Sequence, residues 1–219
     1  MDRDQGRPLT LNPADAGPAG VHVRPLGPAA VDDYLAFFDH ERGPAFADNP
    51  EWAKCYCQFY HTPKPIDWNA RPGDVNRIAM RERIASGEME GFLAYDDAGQ
   101  VVGWLNIQPR NKLPHCFARM RLDPTPIDIP DFRVAQVLCF VIHPQFRRRG
   151  IARALLDAAC DACARRGITL VEAYPFKSDD SVDPGDHYHG SLPMYLAAGF
   201  EVFADAPTMT VVRKTLPAR

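Results

Sequence analysis

No stretch of the 219 residues approaches the roughly 18 consecutive apolar positions of a membrane-spanning helix. The opening segment, MDRDQGRPLT, lacks the apolar centre of a secretory signal, so a soluble cytoplasmic protein is expected. An excess of one charge is missing too. The formal net charge is −3, which argues against a surface built to attract polyanions, although a local basic patch stays open. No nucleic-acid or membrane partner is expected. No internal repeat appears, which excludes a solenoid.

Cysteine is sparse: Cys55, Cys57, Cys116, Cys139, Cys160 and Cys163, all expected to be reduced in a cytoplasmic setting. Metal-site spacing is wanting as well. Cys55, Cys57 and His61 lie close together in EWAKCYCQFYH, and Cys160 and Cys163 form C-x-x-C on an alanine-rich helix. Zinc sites draw paired ligands from turns, and no second well-spaced pair is present, so no metal is expected.

What remains is ordinary globular composition, 46% hydrophobic and 24% charged, enough for one sizeable core. Residues 1–19, rich in Pro, Gly, Asp and Ala, read as a tail, and 20–219 as one domain. A short strand is expected near Val21 to Arg24. In PAAVDDYLAFFDH the residues Val31, Tyr34, Leu35 and Phe38 recur at helical spacing. Another helix starts near Asp74, with Gly87 as its stop. GFLAYDDAGQVVGWLNI is a hairpin of two apolar strands around Asp-Asp-Ala-Gly. Then come a buried strand, VAQVLCFVI, and a helix, GIARALLDAACDACARRG, with Ile151, Leu155, Ala158, Ala159 and Ala162 on one face and Gly167 as its cap. ITLVEAY reads as a strand, SLPMYLAAG as a short helix, and FEVFA and TMTVVRKTL as closing strands. Strands and helices alternate, so the class is α/β or α+β around a central sheet.

The stretch HPQFRRRGIA, residues 143–152, joins the buried strand to the helix. Taken alone it fits a nucleic-acid patch, a solvated helix start or a phosphate cradle. Its location favours the cradle. A helix N-terminus carries unpaired N–H groups and a partial positive charge. Gly150 lets phosphate oxygens approach the backbone, and Ala152 keeps the same face open. A diphosphate suits this better than a duplex, which needs basic residues spread along a surface.

Here the sequence resembles the GNAT superfamily of acyl-CoA-dependent N-acyltransferases. That family has a strand ending in an apolar run, then Pro, then Arg/Gln-x-x-Gly-x-Gly/Ala. This chain has Phe140-Val141-Ile142-His143-Pro144 and Arg147-Arg148-Arg149-Gly150-Ile151-Ala152. A downstream Tyr-x-x-x-Gly-Phe matches Tyr195 to Phe200, and the hairpin with Gly103-Trp104 is similar to the second and third strands of that fold. Residues 43–73 and 109–132 then look like insertions.

The resemblance implies a single GNAT-like domain with a mixed, mostly antiparallel, splayed sheet flanked by helices. It implies acetyl-CoA as donor. Backbone groups of Phe140, Val141 and Ile142 would pair with the pantetheine arm. Those of Arg147, Arg148, Arg149, Gly150, Ile151, Ala152 and Arg153 would hold the pyrophosphate. The reaction would be acetyl transfer to a primary amine. Glu172 sits where some family members carry a base; the alternative is a strand-end glutamate paired with an arginine. Tyr195 matches the family tyrosine that protonates the leaving sulfur; the alternative is a residue that only lines the CoA channel. The link before that helix, PFKSDDSVDPGDHYHGS, is longer than usual in the family and could cover the acceptor site or displace Tyr195. Within it His187 and His189 are acceptor contacts, a spare base or solvated loop residues. Tyr56, Phe59 and Tyr60 are expected to pack, over the acceptor pocket. A CoA-binding module without catalysis is the rival reading. The acceptor stays open among antibiotic, polyamine, amino acid and protein N-terminus. A homodimer is the default expectation for assembly.

Overall fold

The computed structural model describes residues 18–39, 54–177 and 188–217. The expected tail therefore lies almost wholly outside the described residues, as do residues 43–53 of the first insertion and His187.

Seven strands form one sheet in the order β1-β2-β3-β4-β5-β7-β6. They are β1 (Val21–Pro25), β2 (Gly91–Asp96), β3 (Val101–Pro109), β4 (Val134–Ile142), β5 (Leu170–Ala173), β6 (Glu201–Asp205) and β7 (Thr210–Thr215). The β4–β5 pair is parallel and the others are antiparallel. The mixed, mostly antiparallel sheet is the one expected.

Period-2 burial splits the strand residues between two layers. Phe92, Ala94, Leu105, Val137 and Phe140 pack with Leu155, Ala158, Ala159 and Ala162 of the long helix α4 (Ile151–Arg165). Leu93, Tyr95, Trp104 and Val141 pack on the opposite face, against Tyr34, Leu35 and Phe38 of α1 (Val31–Phe38) and Met80 and Ile84 of α2 (Gly73–Ala85). The α4 side chains that face the sheet are those whose spacing marked them. Burying each large one stabilises the fold by roughly 1.5–3 kcal/mol. Cys160 and Cys163 are buried in this same layer as core residues.

A third cluster covers the sheet beyond α1. It gathers Tyr60, Leu113, Cys116, Met120, Leu138, Tyr174, Met209 and Val211, with Phe59, Phe117, Phe176 and Tyr188 at its edge. Both expected insertions feed it. The second, read as irregular, contains a short helix, α3 (Cys116–Met120). Arg119 of that helix donates to the carbonyls of Thr62, Pro63 and Ile66, tying the two insertions together. Cys57 accepts from the Trp104 indole N–H at 3.1 Å, which accounts for one cysteine of the CYC motif in packing terms.

Candidate active site

The sheet opens between β4 and β5. Their pairing runs from Val134↔Leu170 to Val137↔Ala173 and stops, while β4 continues to Ile142. Two causes are visible. A bulge lies in β4, since Asn106 of β3 faces Cys139 and Ile107 faces Val137, leaving Leu138 as the extra residue. Such a bulge bends its strand and re-aims its edge. Beyond Ala173 the chain stays with β7 and not with β4, since the Phe176–Met209 bridge continues the β5–β7 register. Residues 138–142 therefore present an edge that β5 does not pair. The residues named from the sequence for the pantetheine arm, Phe140, Val141 and Ile142, all lie on it.

From Ile142 the chain makes one 3-10 turn, Pro144–Phe146, and enters α4. Gly150 caps the helix at φ 83°, in the left-handed region that costs other residues strain. Among the described residues a Cβ built there would meet nothing nearer than Pro18 Cγ at 3.9 Å, so those residues leave the space above the backbone clear. The N–H groups of Ile151, Ala152 and Arg153 are the first of the helix, which no helical carbonyl reaches. Gly150, Arg148 and Arg149 are exposed. Arg147 Nε donates to the Ile142 carbonyl at 3.1 Å, closing the turn, and Arg149 lies 5.0 Å over the Phe146 ring. Arg153 binds Asp157 at 2.7 Å and the Ala197 carbonyl at 2.8 Å. Arg147, Arg149 and Arg153 thus brace the junction, and the helix end presents its first backbone N–H groups.

Glu172 is 0% exposed and fully engaged. Its Oε1 accepts from Thr125 Oγ1 at 2.7 Å and from Arg213 Nε and Nη2 at 2.9 and 2.8 Å. Its Oε2 accepts from the Tyr174 hydroxyl at 3.1 Å and lies 3.5 Å from Arg110 Nη1. Arg213 and Arg110 are themselves largely buried, with side-chain exposures of 16% and 10%. A paired glutamate is what the structure places here, with two arginines rather than one.

Tyr195, on α5 (Leu192–Ala197), is fully buried, and burial raises its phenol well above the usual range. Its hydroxyl donates to the His189 carbonyl at 2.8 Å. The neighbouring Tyr188 carbonyl accepts from the Phe140 N–H at 2.6 Å. Residues 188–190 therefore lie against the open β4 edge. Gly190 permits this: at φ 78°, a Cβ would stand 2.8 Å from Met194 Cε, 3.1 Å from the Tyr195 ring and 3.2 Å from the Phe140 ring.

The His189 ring is fully buried among Tyr60, Phe176 and Tyr188, with centroid separations of 5.6, 4.8 and 4.6 Å. Its Nε2 shares a 2.5 Å hydrogen bond with the Tyr60 hydroxyl. The solvated-loop reading of this histidine is overturned by burial. Sequence reasoning also passed over Gln108, Gln136 and Arg213, which with Glu172 form one row across β3, β4, β5 and β7. A period-2 reading of each strand alone could not place these four side by side, because register is a tertiary property.

Comparison with known proteins accords with this geometry. The model of the acetyltransferase (GNAT) family matches residues 52–183, well over half of the chain. The protein belongs to the GNAT acetyltransferase family. Comparison with curated protein sequences gives no match. Among solved structures, the chain is similar to a GCN5-related N-acetyltransferase from Kribbella flavida, with a TM-score of 0.54, 17% identity, and coverage of 90% of this chain and 98% of that one. It is similar to YncA, a putative acetyltransferase from Salmonella typhimurium solved with acetyl-CoA, with a TM-score of 0.52, 17% identity and coverage of 91% and 96%. PaiA N-acetyltransferase from Thermoplasma acidophilum, in complex with coenzyme A, gives a TM-score of 0.51, 11% identity and coverage of 89% and 98%. At these identities the likeness is one of fold.

Proposed function

We propose that the protein is an N-acetyltransferase that moves an acetyl group from acetyl-CoA to a primary amine by direct attack on the thioester. The observation that carries this is the continuity of two features. A strand edge that β5 leaves unpaired, residues 138–142, touched there by Tyr188, leads in one turn toward a helix N-terminus at Gly150. An extended amide-bearing arm that ends in a diphosphate matches both. The backbone of residues 140–142 would hold the arm, and the N–H groups from Arg147 to Arg153 the pyrophosphate. The structural likeness to YncA and PaiA, solved with acetyl-CoA and with CoA, supports the same donor.

The chain then supplies two further things. The Phe140 N–H, now held by Tyr188, is a backbone donor aimed into the gap, suited to a carbonyl oxygen that gains charge. The Tyr195 hydroxyl, a buried donor on the far side of residues 188–190, can hand a proton to the leaving sulfur. For Glu172 we propose an anchoring role: it holds Arg110 and Arg213 in place, and all its hydrogen bonds are to groups of the fold.

The test begins with binding. Acetyl-CoA should bind the wild type, and Ala152→Glu, which puts a bulky anion into the cradle, should abolish binding while the circular dichroism spectrum stays that of the wild type. Thiol release from acetyl-CoA is then followed with spermidine, kanamycin, glutamate and a tripeptide with a free N-terminus. Binding without transfer to any amine would favour a CoA-binding module, and wild-type affinity in Ala152→Glu would refute the cradle.

A further inference from the structure

We infer that His189 takes the proton from the acceptor amine, with Tyr60 as the positioning residue that holds its ring. The inference rests on the transferase reading above and adds the acceptor side of it.

Three observations lead there. His189 is 0% exposed, yet its Nδ1 has no hydrogen-bond partner among the described residues. A buried nitrogen left unpaired costs about 1–3 kcal/mol, so its retention asks for a use. The ring is fixed at the other nitrogen by the 2.5 Å bond to Tyr60, whose hydroxyl also meets the Tyr188 side chain. That contact gives the Tyr60 proton a place to go. The Tyr60 oxygen can then accept from Nε2–H, which leaves a lone pair on Nδ1. Lastly, the residue stands at the splay. Its own carbonyl receives the Tyr195 hydroxyl, and the carbonyl before it receives the Phe140 N–H. The donor side of the reaction and this imidazole therefore meet within one residue of backbone.

The surroundings suit a neutral base. Burial lowers the His189 pKa to about 3, so the imidazole is uncharged near neutral pH. Among the described residues its titratable neighbours are Tyr60 and Tyr188, with Cys116 and Cys139 near Tyr60, and the Tyr60, Cys116 and Cys139 groups are all pushed up, which keeps them protonated and neutral. A weak base is sufficient, because the amine proton becomes acidic as its nitrogen bonds to carbon. The steps balance. The amine lone pair forms the C–N bond at the thioester carbon, and the C–S pair leaves on sulfur. One nitrogen proton passes to Nδ1 and later to water, and the sulfur takes a proton from Tyr195, which water replaces. Glu172, held by Arg213 and Arg110, is not needed for this transfer.

The test uses the full chain and the panel amine that gives the fastest thiol release. His189→Ala should lower kcat by about 100-fold or more, the usual worth of a general base, with acetyl-CoA affinity within about twofold of wild type. Added imidazole should restore part of that rate in proportion to its concentration, after subtraction of the thiol it releases without amine. A structural role would not give such rescue. His189→Gln keeps a polar side chain of similar reach and serves if the alanine variant does not fold; it too should be slow. Tyr60→Phe should lower kcat by less and leave acetyl-CoA binding alone. Full activity of His189→Gln, or an alanine variant that imidazole fails to rescue, overturns the inference while the transferase reading stands. A wild type that transfers to no amine overturns both.

Discussion

Glu172 and Tyr195 are both fully buried polar residues, and their surroundings assign them different work. Glu172 neutralises two guanidinium groups that are themselves mostly out of water. Removing one partner of such a cluster leaves an uncompensated charge, typically at a cost of about 3–5 kcal/mol. Glu172→Gln should therefore lower the urea midpoint strongly. A variant of unchanged stability whose activity fails chiefly at low pH would return Glu172 to the base role that some relatives give this place. Tyr195 carries one hydrogen bond, to the His189 carbonyl, so Tyr195→Phe should cost only about 1 kcal/mol of stability. If the leaving sulfur needs its proton, turnover should fall at least about tenfold with acetyl-CoA affinity nearly unchanged, as thiol-release kinetics and a binding titration would show. Equal turnover would leave Tyr195 as a channel-lining ring.

Among the elements, those with strong periodicity stand where the sequence placed them. The hairpin of two apolar strands became β2 and β3, and the stripe of Ile151, Leu155, Ala158, Ala159 and Ala162 became part of the sheet-facing side of α4. The helix pattern records burial on one face and the continuous apolar runs of the hairpin record burial on both, each a local property of the chain. The strand-to-helix junction was legible for the same reason, since strand, proline, glycine and helix follow one another within residues 134–165. The insertions were not. Their described parts fold by contact with each other, through Arg119 on the carbonyls of Thr62, Pro63 and Ile66, and no period in either segment encodes such a contact. Likewise nothing in PFKSDDSVDPGDHYHGS says that its end lies on β4. The Phe140–Tyr188 bond joins residues far apart in sequence.

For the molecule as a whole, the buried imidazole makes stability depend on pH. His189 has a pKa of about 3 in the fold and about 6.5 in an unfolded chain. Between those values the unfolded chain binds a proton that the native protein refuses. Stability is therefore unaffected by this group above about pH 6.5 and falls as pH drops below it, by up to about 1.4 kcal/mol per pH unit. His189→Gln should flatten that fall, read as the difference in urea midpoint between about pH 4.5 and about pH 7. An equal slope in both proteins would mean that His189 is protonated freely in the native state. The same contrast separates what the chain carries locally from what assembly decides. Sequence alone determined the class, the order of the main strands and helices, and the strand-to-helix junction at Gly150, because periodicity, caps and a contiguous motif are written within short spans. Only the tertiary structure decided that Glu172 is locked between Arg110 and Arg213, and that His189 lies buried beside Tyr60 on the splayed edge of β4. Those environments are made by residues from several strands and both insertions, and burial and partner choice exist only once these have packed.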